Sequence, residues 1–262
     1  MEIRDGVIQI AKKTIAHASE SVSVLCETLN TTPEEVLNAW VVWDTNINEY
    51  DNSIYNSNAL RIAMHLHNEI QGSWHDKRQS EVLNFIHQIK PLSIAEVGFG
   101  TPQRYVTEYV LKNHVPLSLL DFDDGSLNFA KAFLDTKSND WRKYITLRNY
   151  NMNSGNPIGD FDLYLFQDSL EHANKPTEYF KSIVSSAKPK SHFILCIPIE
   201  IDKAIPEHHM FWKNITHALE WVAQGGLLVK KYSEIKMNPE LDLFAKFLHP
   251  DFKEILVLGE KV

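Results

Sequence analysis

Cysteine is almost missing: the 262 residues hold two, Cys26 and Cys196, far apart in unlike segments. No disulfide framework and no CxxC pair for metal or redox chemistry can be built from them, and a reducing, cytoplasmic setting is expected. Long apolar runs are missing too. No stretch approaches the roughly 20 apolar residues a membrane span needs, and the opening MEIRDGVIQIAKK mixes charge into its apolar positions. Secretion and membrane insertion are therefore not expected. Positive charge is in deficit, with 26 basic against 34 acidic residues and a formal net charge of -8. With no basic stripe to neutralise many phosphates at once, a nucleic-acid partner is not expected. Repeats and low-complexity tracts are absent. What is present is an ordinary globular composition, 44% hydrophobic and 23% charged. The length suits one full core with a modest appendage.

From residue 1 to 88 apolar residues recur at helical spacing, as in Val7, Ile8, Ala11 and Ile15, or Val36, Ala39, Trp40 and Trp43. Thr32-Pro33-Glu34-Glu35 reads as a helix start, with Thr32 as cap, Pro33 at the first position and Glu35 bonding back. Further helices are predicted from Asn58 to Gln71 and from Lys77 to Lys90, the first preceded by an Asn- and Tyr-rich loop over 46–58. The texture changes at Pro91. Seven β-rich runs follow, LSIAEV, PLSLLD, YITLRN, FDLYLFQ, HFILCI, GLLVKKYSEIK and EILVLGE, with helical stretches near 103–113, 125–137 and 175–187 among the first five. Strand-helix-strand alternation demands parallel pairing and right-handed crossovers. The expected architecture is α/β, a doubly wound sheet (residues 89–262) behind an N-terminal helical cap and substrate lid (residues 1–88).

The richest chemical signal is Glu96-Val97-Gly98-Phe99-Gly100-Thr101-Pro102, between an apolar strand and a helical pattern. Glycines there let a ligand approach the backbone at the start of the next helix. Asp121, at the end of the next strand, lies 121 - 98 = 23 positions beyond Gly98. That is close to the roughly 20 that sets an acid beside the glycine turn to accept from ribose hydroxyls. A nicotinamide dinucleotide and a nucleoside sulfonium both fit this far. The turn separates them: where a pyrophosphate turn wants a third small residue, the chain has Thr101, Pro102, Gln103 and Arg104, and Glu96 would repel a diphosphate.

With EVGFG (96–100), LLDFDDGSLNFA (119–130) and FDLYLFQDSLEHANKP (161–176), residues 88–262 resemble the class I S-adenosylmethionine-dependent methyltransferases of the small-molecule type. The resemblance implies a seven-stranded, mostly parallel sheet with an antiparallel last strand, S-adenosylmethionine as cofactor and methyl transfer to a small molecule. It places Glu96, Gly98 and Gly100 beside the methionine part of the cofactor, Asp121 on the ribose and Phe122 along the adenine. Asn151 and Met152 fall at the adenine edge, and Gln167 or Asp168 beside the methionine. Pro102 replaces a frequent third glycine and Asn151 a frequent aspartate. Two other outcomes stay open: a non-catalytic or regulatory protein that binds the cofactor, and an enzyme that uses it without transferring methyl.

A sulfonium carries its own leaving group, so catalysis reduces to orientation plus a base where the acceptor must lose a proton. Candidate bases are His172, in the SLEH turn, and His208 and His209, in PEHHMFW. Tyr50 and Tyr55 in the polar loop and Glu200 after the fifth strand are candidate acceptor contacts, and Trp40, Trp43, Arg61 and Trp74 are further lining candidates. Metal is not expected. His65 and Glu69 share a helix face, which reads as a solvated polar face because no third ligand lies in sequence reach, and His208-His209 lacks one as well. A helical cap of this kind is compatible with a homodimer.

Overall fold

The computed structural model describes residues 3–45, 57–200, 208–243 and 252–262. Four helices open the chain: α1 (Ile3–His17), α2 (Ser19–Leu29), α3 (Pro33–Thr45) and α4 (Asn58–Asn68). The capping box at α3 forms as its sequence predicts: the Glu35 amide donates to Thr32 Oγ1 at 3.2 Å, and the Thr32 amide donates to Glu35 Oε2 at 2.8 Å. Helix α5 (Trp74–Ile89) starts three residues before the expected Lys77, because Ser73 caps it by accepting from the Asp76 amide. This helix packs against the sheet strands given below as β5, β6 and β7.

The seven β-rich runs become β1 (Ile94–Val97), β2 (Leu117–Asp121), β3 (Ile145–Asn149), β4 (Leu163–Gln167), β5 (His192–Ile199), β6 (Leu227–Lys236) and β7 (Lys253–Lys261). They form one sheet of order β3-β2-β1-β4-β5-β7-β6, and β7 runs antiparallel to both neighbours while β1 to β5 pair in parallel. Crossovers are made by α6 (a π turn, Val106–Val110, continuing as Leu111–Asn113), α7 (Asp124–Lys137) and α8 (Pro176–Ser186), and α9 (Ile215–Gln224) precedes β6. Trp221 packs from α9, and Trp212, also buried, sits ahead of the helix.

Strand alternation divides the core. On β5, Ile194 and Cys196 face a layer built from α1 to α7, while Phe193, Leu195 and Ile197 face the layer of α8 and α9. The N-terminal helices dock on the first layer through α2 and α4, both against α7. The chain leaves β1 toward β2 on one side and β4 lies on the other, so the strand order reverses there. Open α/β sheets bind ligands outside the carboxyl ends of their strands at such a point.

Candidate functional site

At that point the sheet carries a cavity of about 900 Å³. This lies toward the upper end of the roughly 300–1,000 Å³ usual for ligand sites. Its floor is made by strand ends: Gly98 and Gly100 after β1, Asp121 on β2, Gln167 and Asp168 at β4, and Pro198 on β5. Both glycines have positive φ, +68° and +57°. A Cβ on Gly98 would stand 2.7 Å from that of Ser169, whereas one on Gly100 would project into open space. The first glycine lets two loops meet and the second leaves room above the backbone.

Asp121 is 6% exposed and accepts from the amides of Gly100 (3.0 Å) and Asp123 (3.1 Å), one to each oxygen. Each oxygen keeps a second lone pair for a ligand hydroxyl. Burial pushes its pKa up, opposed by these amides and by Arg61. Phe122, 67% exposed, Asn151 and Met152 line the same end of the cavity. Gln167 donates to Glu96 at 2.6 Å, and its own Oε1 is buried without a partner. Asp168, at φ 48°, gives one oxygen to Arg78 while its other oxygen is buried and unpartnered.

Two expected contacts lie elsewhere. Glu96 is fully buried, with one oxygen taking Gln167 and the other the hydroxyl of Tyr105 at 2.6 Å, and it does not line the cavity. Burial pushes its carboxyl up to about 7. It orients Gln167 instead of facing a ligand. Glu200, 1% exposed, is also off the cavity and stands behind His208, with Oε1 at 3.0 Å from Nδ1. Tyr50 and Tyr55 lie outside the described residues.

The far end of the cavity is assembled from distant segments. His172 and Glu171 come from the turn after β4, and His208 and His209 from the segment after β5. The His209 amide donates to the Glu171 carbonyl at 2.7 Å and locks the two segments together. Trp43, Met64, Asn68, Trp74 and Arg78 arrive from α3, α4 and α5. Trp40 is wholly buried, its indole N–H donating to Asp44 at 2.9 Å. The solvated face expected around His65 and Glu69 forms only in part, with Glu69 exposed. His65 packs on Phe129 and Phe133 of α7, and His67 and His75 are buried. Burial depresses all three imidazoles, to about 4 for His65 and about 3 for His67, and leaves them neutral at pH 7.

Two arginines escaped prediction as structural links. Arg61 of α4 pairs with Asp123, the cap of α7, and Arg78 of α5 pairs with Asp168 and with Glu254 at 3.1 Å. Both cations of the wall are thus matched by carboxylates, and the lining also holds Asp44, Asp121 and Glu171. Such a wall suits a cationic ligand and disfavours a diphosphate. With the spare lone pairs of Asp121, the orphaned Gln167 and Asp168 oxygens and the open space at Gly100, the residues fit a nucleoside bearing a sulfonium and an ammonium.

Comparison with solved structures agrees with this topology. The chain is similar to the [4+2]-cyclase SpnF (TM-score 0.55, 12% identity, 73% of this chain and 83% of that one). It is similar to the N-methyltransferase NodS from Bradyrhizobium japonicum in complex with S-adenosyl-L-homocysteine (TM-score 0.54, 10% identity, 73% and 89%). PigF with S-adenosylhomocysteine aligns over 94% of this chain and 72% of its own, at TM-score 0.53 and 12% identity. The fold is that of the class I methyltransferases. No protein-family profile matches the chain, and no curated protein does.

Proposed function

We propose that the chain is a methyltransferase that binds S-adenosylmethionine and methylates a small molecule. One observation carries the reading: the Gly98–Gly100 turn and Asp121 open onto a cavity that continues, without a dividing wall, to a histidine-bearing end under α3 to α5. Asp121 holds the ribose, Phe122, Asn151 and Met152 border the adenine, and the free oxygens of Gln167 and Asp168 receive the ammonium. The cofactor, when bound, supplies an activated methyl group on sulfur. Helices α1 to α4 act as the lid over the acceptor, and α5, packed on the sheet, stays with the core. Holding the two reactants together provides most of the acceleration. A histidine at the far end takes the acceptor's proton where one must leave: His172 and His209 are exposed toward the cavity, and His208 is held behind them by Glu200.

Asp121→Ala is expected to weaken binding of S-adenosylhomocysteine at least tenfold in calorimetry, about 1.4 kcal/mol; unchanged affinity removes the ribose assignment. Transfer of tritiated methyl into a metabolite extract tests the reaction. A second outcome, use of the cofactor fold without methyl transfer, is favoured by the likeness to SpnF, a cyclase. It predicts cofactor binding with no labelled product.

A further inference from the structure

Three side chains that the sequence keeps apart meet at the acceptor end. Glu171, His172 and His208 each turn one potential ligand atom into a space in which these atoms lie within 4.8 Å of one another. Glu171 is 0% exposed, and neither of its carboxylate oxygens has a hydrogen-bond partner. His208, 4% exposed, presents Nε2 to Glu171 Oε1 at 4.0 Å. That is too far for a hydrogen bond. Two ligands each about 2.1 Å from a tetrahedral ion stand ~3.4 Å apart, so binding would draw this pair together by roughly half an ångström. Behind it, the Glu200 carboxylate at Nδ1 favours the proton there and leaves Nε2 with a lone pair, the arrangement that orients a metal-bound imidazole. Two carboxylates, both buried, thus converge on one imidazole, and the neighbouring Arg78 is committed to Asp168 and Glu254.

We infer that Glu171, His172 and His208 form a binding site for one divalent transition-metal ion, with Glu200 as the positioning residue for His208. Two imidazole nitrogens and one carboxylate oxygen favour Zn²⁺ or Fe²⁺ over Mg²⁺ or Ca²⁺. All three ligands line the cavity, so the open coordination positions face into it. They take an oxygen of the bound molecule, which makes the acceptor class a hydroxyl- or carboxylate-bearing compound. That last step rests on the reading of this end as the acceptor pocket; the ion site does not. With the ion present, His172 and His208 serve as ligands and His209 remains as the base.

The test uses untagged full chain stripped with EDTA, titrated with ZnCl₂ without cofactor and checked for metal content after gel filtration. One retained equivalent is expected. Glu171→Gln and His208→Ala should each lose affinity by at least 100-fold, and Glu200→Gln by roughly 10- to 100-fold. His17→Ala, on the exposed end of α1, should bind as the unaltered chain does. Absence of a retained equivalent, or equal binding by the Glu171 and His208 variants, overturns the site. If those variants fail to fold, zinc-edge absorption of the unaltered chain decides: two imidazoles in the shell support the assignment, and fewer overturn it. Because cofactor is absent throughout, failure of the ion site leaves the methyltransferase reading to its own calorimetric test.

Discussion

The two ends of the cavity solve different problems. At the cofactor end most recognition groups are main chain or bonded side chain: two glycines in left-handed conformations, a carboxylate gripped by two amides, and Glu96 held by Gln167 and Tyr105, with one oxygen each on Gln167 and Asp168 left for a ligand. At the acceptor end the wall is ionisable and under-bonded, with Glu171, Glu200 and His208 buried together. Burial pulls the His208 imidazole down, but Glu200 and Glu171 outweigh it and raise its pKa, while burial lifts Glu171 to about 8. The first end is organised before anything binds. The second acquires a settled charge state only when a ligand, proton or ion supplies it.

The largest effect is expected where the contrast is bridged. Arg78→Met leaves Asp168 and Glu254 without their cation and should lower stability to urea by about 3–5 kcal/mol. A loss below about 1 kcal/mol would mean the two ends are not tied through this guanidinium. At the cofactor end, Gly98→Ala meets Ser169 in a left-handed conformation and should cost about 2–3 kcal/mol. Gly100→Ala pays only the conformational part, about 1–2 kcal/mol, and its methyl enters the cavity, so its main expected loss is S-adenosylhomocysteine affinity in calorimetry. If both glycine variants lose stability equally, the open space at Gly100 is not there.

Acidity separates the ends further. Glu96 and Glu171 both rise from 4.5, to about 7 and about 8, chiefly through burial, so each takes up a proton on folding. The stability that this proton uptake contributes is complete below about pH 4.5 and is lost as pH climbs through 7 and 8, at no more than about 1.4 kcal/mol per pH unit for each group. Metal-free Glu171→Gln should therefore gain on the unaltered chain between pH 5 and pH 8 in urea unfolding; parallel curves would show that Glu171 folds ionised. A smaller loss than for Arg78→Met is expected from Arg61→Met, about 1.5 kcal/mol for its charged hydrogen bond to Asp123. Equality with Arg78→Met would erase the distinction between a guanidinium shared by two carboxylates and one bonded to Asp123.

Much of the cofactor end was legible in the chain because its parts are contiguous. A glycine pair after a strand and an acid after the next strand are local patterns, and the sheet puts their ends side by side. Strands β1, β2, β4 and β5 were readable for a similar reason, since buried parallel strands are dense apolar runs, and antiparallel β7 is as apolar, whereas β6 is mostly exposed. The acceptor end was legible only in its parts: His172, His208 and His209 stood out as histidines, but Glu171 and His208 are 37 residues apart, and their meeting, held by the amide of His209 on the Glu171 carbonyl, follows no local pattern. Periodicity also misjudged α4. His65 reads as polar, yet an imidazole kept neutral by burial packs like an aromatic ring, His65 on Phe129 and Phe133 and likewise His67 beside Trp40 and Trp43. Glu96 and Glu200 were expected to touch the ligands, and both turn away from the cavity. Which way a carboxylate turns is decided by donors such as Tyr105, which no local pattern reveals.

Asp123 has two roles at once, starting α7 through the amides of Gly125 and Ser126 while receiving Arg61 from 62 positions earlier. The helices translated first therefore have no finished landing place until the second crossover helix has left the ribosome. These helices are made before their frame, and in the growing chain they have to wait for it.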